Sequence, residues 1–285
     1  MNELERDNGA YEELNNAFAV IEKANYNASM SLIPTWNKEY YEILEFFFWE
    51  SQHLGKKKNP ESNLQGIEQV FAHLRRMEVT LNHQFNLFFT LVPRSLLRDF
   101  FKHVFGHPFD DEYVFDSQET RKFVSMLGSV TQPDLFFVGR QSLVGIEMKV
   151  SAKSSLDQCM KYFLLSLLEG EALKNQKIFH LLFIGKGNFS NLFEERFESV
   201  GELQKAFAAF SMPDTSRNGG IDLKRYHEKI RKLAQKAEIA YISYGDMYNF
   251  FKEEREKYAG GNNGAETVCK LIDGLLDEIR ARELL

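Results

Sequence analysis

The stretch Pro133 to Val150 constrains this chain more than any other. Two apolar runs, Leu135–Val138 and Leu143–Val150, flank the short polar turn Gly139-Arg140-Gln141-Ser142. Apolar runs of that length around a glycine-bearing turn form a β-hairpin. Side chains alternate along a strand. In the second run Val144, Ile146, Met148 and Val150 therefore face one way, and Leu143, Gly145, Glu147 and Lys149 the other. A turn centred between Arg140 and Gln141 sets Asp134 directly opposite Glu147. Residues so paired lie roughly 5 Å apart. Two carboxylates at that separation repel unless a positive charge offsets them. A divalent cation suits that position, and Lys149 stands beside it.

The rest of the chain reads as alternating helices and strands. A continuous apolar run over 177–185, Lys177 to Gly185, has the length and flanks of a buried central strand. Between it and the hairpin, Ser155 to Glu169 carries a helical stripe of Leu156, Cys159, Met160, Phe163, Leu164, Leu167 and Leu168. Ser155 and Gln158 have the spacing of a capping box, and Gly170 is the expected stop. A hairpin, a helix and a further strand in that order predict a crossover onto a parallel neighbour. Upstream, an apolar helix is expected from about Phe85 to Phe105, ended or kinked at Pro93. Downstream, helices are expected over 191–210, 222–236, 246–258 and 265–282, with a short strand over 239–243. Residues 211–220 form a loop rich in breakers.

The expected fold class is α/β, a mixed central sheet flanked by helices, with an N-terminal helical extension whose helices span 11–23, 38–53 and 64–79. The expected division is 1–80 for that region, 81–258 for the core and 259–285 for a closing helix.

Composition narrows the function classes. The net charge of −6 disfavours a protein that coats nucleic acid non-specifically, though it permits a local basic surface. The stretch 222–236, with Lys224, Arg225, Lys229, Arg231, Lys232 and Lys236, is the most basic and could track a phosphate backbone or serve as a solvated helix face. Cys159 and Cys269 are the only cysteines, which is too few for a disulfide framework. The polar N-terminus lacks a signal peptide, and no apolar run approaches a membrane span, so the cytoplasm is the expected location. The histidines are scattered with no zinc-site spacing, and there is no glycine-rich phosphate loop. The 26 phenylalanines are expected mainly in the core.

Pro133-Asp134, followed after twelve residues by Glu147-Met148-Lys149, resembles the signature of the PD-(D/E)XK nuclease superfamily, the restriction-endonuclease-like fold. Gln158 and Tyr162, four apart on one helix face, are similar to the Q-x-x-x-Y element of its RecB-like branch. The resemblance covers roughly residues 80–250 and implies metal-dependent hydrolysis of phosphodiester bonds, in double- or single-stranded DNA. It implies Mg²⁺, or Mn²⁺, held by Asp134, Glu147 and the main-chain carbonyl of Met148. Lys149 would position the attacking water or stabilise charge at the phosphate, with Gln158 and Tyr162 in support. Many members add an acid from the first core helix. Here Glu78, Asp99 and Glu119 are the candidates, and none sits in the early turns of the helix expected from Phe85. The competing reading is a catalytically inactive nuclease fold that binds nucleic acid or protein. Its N-terminal helices would then offer a surface to a protein partner or a second copy.

Overall fold

The computed structural model describes Trp36, Tyr40 and residues 78–109, 114–115, 133–172, 178–193, 197–210 and 226–285. The chain divides into two compact units, Met1–Pro34 and Thr35–Leu285, and every described residue belongs to the second. The helices expected over 11–23, 38–53 and 64–79 thus lie outside the described residues, apart from helical Tyr40 and the last two positions, Glu78 and Val79. Glu119 and the loop over 211–220 lie outside them as well.

The fold is α/β. In chain order the elements are α1 (Glu78–Leu91), α2 (Arg94–Phe105), β1 (Val114–Phe115), β2 (Leu135–Val138), β3 (Ser142–Lys149), α3 (Leu156–Ala172), β4 (Ile178–Gly185), α4 (Val200–Ala209), α5 (His227–Lys236), β5 (Glu238–Ser243), α6 (Tyr244–Tyr258) and α7 (Asn263–Ala281). Among the described residues, five strands form one sheet in the order β1-β2-β3-β4-β5. Pairs β1–β2 and β2–β3 are antiparallel, and β3–β4 and β4–β5 are parallel. Helix α3 makes the β3-to-β4 connection, as parallel neighbours require.

Alternation along the strands sorts the core into two layers. Val144, Ile146 and Met148 of β3, with Leu182 and Ile184 of β4, pack under α1, α2, α6 and α7. Leu143 of β3, with Phe179, Leu181 and Phe183 of β4, packs under α3, α4 and α5. The first layer is rich in phenylalanine. Phe100 stacks on Phe251 at 5.1 Å between centroids, and Phe89 meets Phe137 of β2 edge-on at 5.9 Å. Burial of such rings is a large apolar contribution to this layer.

Several boundaries differ from the sequence reading. The helix expected from Phe85 is already present at Glu78, because Thr80 to Gln84 contains no residue that breaks a helix. Pro93 does end it: α2 starts at Arg94, since proline cannot donate into the preceding turn. Helix α3 runs past Gly170 to Ala172. Of the helix expected over 191–210, the described residues show an α-helix over Val200–Ala209. Its true start is Ser199, whose Oγ accepts the Glu202 amide, while Phe193 bridges to Ser154 in extended geometry.

Candidate active site

The hairpin register is the one read from the sequence. Leu135 pairs with Ile146, and the ladder runs to Val138 opposite Leu143. Continued by one residue, it sets Asp134 across from Glu147. Asp134 Oδ2 accepts the Met148 amide at 2.7 Å, which ties the carboxylate to the strand that carries Glu147. Its Oδ1 accepts from the Asn82 side chain of α1.

Glu147 is almost fully buried, at 1 % exposure. Isolated buried carboxylates are costly, and this one is surrounded by donors. Lys149 Nζ lies 2.6 Å from its Oε1, and Gln158 Nε2 donates to the same oxygen at 2.9 Å. The Tyr162 hydroxyl donates to Oε2. Gln158 was expected to close a capping box. Only half of that box exists: Ser155 Oγ accepts the Gln158 amide at 3.2 Å, and the Gln158 side chain turns to Glu147 instead.

Of the three candidate acids, Glu78 stands at the start of α1. Glu78 and Asn82 are one turn apart, so they share a helix face. Asn82 holds Asp134, and Glu78 Oε1 accepts the Val150 amide at 3.2 Å. The fields of Glu78 and Glu147 both act on Asp134. Of the other two candidates, Asp99 lies on the solvent side of α2, and Glu119 is outside the described residues.

The electrostatics are those of a site short of positive charge. Burial, and then the Glu147 carboxylate, push the Asp134 carboxyl up to about 8. Burial likewise raises Glu147, with Lys149 pulling the other way. Burial works against the Lys149 ammonium, yet the surrounding carboxylates hold its pKa above the ordinary lysine value. Three acids thus face one lysine. Above them, at the start of α6, the fully buried Tyr244 hydroxyl has no hydrogen-bond partner among the described residues. Burial and then the Asp134 and Glu78 carboxylates push that phenol well above its normal range. An orphaned buried hydroxyl beside surplus carboxylates fits a hard, oxygen-seeking cation.

The structure therefore brings Asp134, Glu147, Met148, Lys149, Gln158 and Tyr162 together, and adds Asn82, Glu78 and Tyr244. The oxygens of the three acids are not gathered tightly enough for one ion to take all of them directly. Among the described residues, the one group of three whose ligand atoms all lie within 4.8 Å of one another is His107, His180 and Glu238. Mg²⁺ needs only one or two direct carboxylates, since it keeps several waters. No described helix is long and apolar enough to cross a membrane. No protein-family model matches the sequence, and a comparison with curated proteins finds no match either.

Proposed function

We propose that the chain is a Mg²⁺-dependent nuclease acting on DNA, with Asp134, Glu147 and Lys149 at its centre. One observation carries this reading: Glu78 of α1, Asp134 just before β2 and Glu147 of β3 come near one another at the end of β3, where Lys149 pairs with Glu147 and feels the fields of the other two. Gathering carboxyl groups where burial disfavours their charge costs stability, and a site kept at that cost is characteristic of function. Asp134 and Glu147 would hold the ion, with the Met148 carbonyl and, through water, Glu78. When bound, the ion supplies Lewis acidity, lowering the pKa of water and offsetting phosphate charge. Lys149 then directs its ammonium at the phosphate or the attacking water. Gln158 and Tyr162 hold Glu147 in place from behind, so its orientation does not depend on the ion.

The test is cleavage of plasmid and single-stranded DNA with Mg²⁺, Mn²⁺ or EDTA. Wild-type protein is expected to cut with either ion, and EDTA, Asp134→Ala or Lys149→Ala to abolish cutting. Cleavage that survives EDTA, or that survives both substitutions, overturns the proposal. If no substrate is cut and calorimetry detects no Mg²⁺ binding, the fold serves as a binding module instead.

A further inference from the structure

Two histidines and a glutamate meet on the sheet face opposite Glu147. His180 of β4 and Glu238 of β5 are register partners in the parallel pair, so their side chains leave the same face side by side. His107 follows α2, just past Gly106, whose φ of 78° turns the chain at the helix end. Glu238 Oε2 lies 2.6 Å from His107 Nε2 and 3.0 Å from His180 Nδ1. His107 Nδ1 faces the Pro108 carbonyl at 3.3 Å, which leaves Nε2 as the nitrogen aimed into the cluster.

The surroundings are shaped as well. The Phe109 ring stacks on His107 at 4.9 Å between centroids and leans on His180 at 4.8 Å. Phe105 closes on His180 from another side at 5.1 Å. His180 is buried, whereas the side chains of His107 and Glu238 are 43 % and 41 % exposed, so one side opens to solvent.

We propose that His107, His180 and Glu238 bind one zinc-class divalent ion, at a site separate from the acid cluster. Two imidazoles and one carboxylate form a donor set that zinc accepts and magnesium does not favour. With Zn–ligand bonds of about 2.0–2.1 Å, tetrahedral ligand atoms lie roughly 3.3 Å apart. The two separations from Glu238 Oε2, 2.6 and 3.0 Å, come within about 0.7 Å of that, and all three ligand atoms lie within 4.8 Å of one another, so side-chain shifts admit the ion. The open side leaves the fourth position to water. The Pro108 carbonyl is the outer partner that orients a ligating imidazole. The separation from the acid cluster follows from the register. On β4, His180 pairs with Val144 of β3, and Phe183 pairs with Glu147. The two sites are therefore three residues apart along the strands, about 10 Å, and on opposite faces. An ion here would clasp the end of α2 to the starts of β4 and β5 and stabilise the fold by mass action.

The experiment uses the metal-stripped full chain in excess Mg²⁺, titrated with Zn²⁺ by calorimetry and followed by thermal melting. Co²⁺ provides a visible spectrum of the coordination geometry. The expected result is one zinc per chain at micromolar or tighter affinity, a raised Tm, and tetrahedral Co²⁺ absorption. His107→Ala and Glu238→Gln, both at partly exposed positions, should each weaken binding at least about tenfold, and Asp134→Ala should leave it unchanged. Failure to take up zinc at micromolar concentration overturns the proposal and leaves a carboxylate shared between two imidazoles. So does uptake that both cluster variants leave intact, or that Asp134→Ala removes. None of these outcomes depends on nuclease activity.

Discussion

Glu78 on α1 and Val150 at the end of β3 are joined by a hydrogen bond, the Val150 amide donating to Glu78 Oε1 at 3.2 Å. The bond fixes a helix acid at the strand end that carries Glu147 and Lys149. Asn82, one turn on, fixes Asp134 from the same helix face. Helix α1 is thus the platform on which the acid cluster is assembled, and Phe85 and Phe89 anchor its continuation in the core.

Glu78→Gln tests that role. Glutamine keeps an acceptor for the Val150 amide but removes the charge. DNA cleavage should fall about 10–100-fold, the effect expected of an outer partner at a metal site, and the half-saturating Mg²⁺ concentration should rise, with little change in Tm. An unchanged Mg²⁺ requirement would restrict Glu78 to a structural part.

Asp134→Asn should stabilise the metal-free protein while abolishing cleavage. The folded-state pKa of Asp134 is raised from 3.8 to about 8. Folding therefore favours its neutral form, and that stabilisation is complete below the unfolded pKa and lost as pH rises through the folded one. In EDTA, wild-type Tm should decline between pH 5 and pH 8.5, a window chosen from that shift. The asparagine variant, neutral throughout, should lack that share of the decline and gain about 1 kcal/mol at the upper end. Melts across the pH series with and without EDTA decide it, and an equal decline in both proteins contradicts it.

Tyr162→Phe isolates the support behind Glu147. The substitution preserves the buried ring and removes the hydroxyl that donates to Glu147 Oε2. A hydrogen bond to a charged group is worth about 1.5–3 kcal/mol, so activity should drop roughly tenfold or more. If the hydroxyl positions Glu147 for the ion, the Mg²⁺ dependence shifts with it. A variant with lower Tm but normal Mg²⁺ response would point to stability alone.

What the sequence made legible was whatever rested on short-range periodicity. Two-residue alternation and a short turn determine the register that sets Asp134 opposite Glu147. A proline is a sufficient reason for α1 to end before Arg94. Gln158 was legible as a member of the site, but its local spacing also matched a capping box, and only the tertiary neighbour Glu147 decides between them. The sequence places Glu78 at the end of the helix expected over 64–79, because apolar periodicity is strongest from Phe85 onward and hides the turn over 80–84 that makes Glu78 part of α1. The His107, His180 and Glu238 group had no signal in the sequence at all. Its members lie on separate elements, and only the pairing of β4 with β5 and the turn after α2 bring them together.

Arg282→Ala should be among the most destabilising single changes. The Arg282 guanidinium pairs with Glu278, both side chains being almost wholly buried, and its Nη2 donates to Thr80 Oγ1 of α1 at 2.6 Å. This is a polar tie between the end of α7 and the helix that carries Glu78. Removing one partner strands a buried charge, which costs about 3–5 kcal/mol. Chemical denaturation measures this directly, and a loss below about 1 kcal/mol would mean that Glu278 is adequately solvated without Arg282.

Gly274 of α7 is required by Trp36. The indole Nε1 donates to the Leu271 carbonyl at 3.0 Å, and this approach brings the ring against the bare backbone of Gly274. A Cβ there would lie 2.0 Å from Nε1 and 2.4 Å from Cδ1 of the ring, closer than unbonded atoms approach. Gly274→Ala must therefore displace Trp36, even though alanine is by itself the better helix former by about 1 kcal/mol. Overpacking of this kind costs about 1–3 kcal/mol, so the net change is a loss of up to about 2 kcal/mol. The chain has only two tryptophans, so a red shift of emission in Gly274→Ala reports the displaced indole. With Trp36→Phe as the reference for the signal, a variant that is stabilised and spectrally unchanged would contradict this packing.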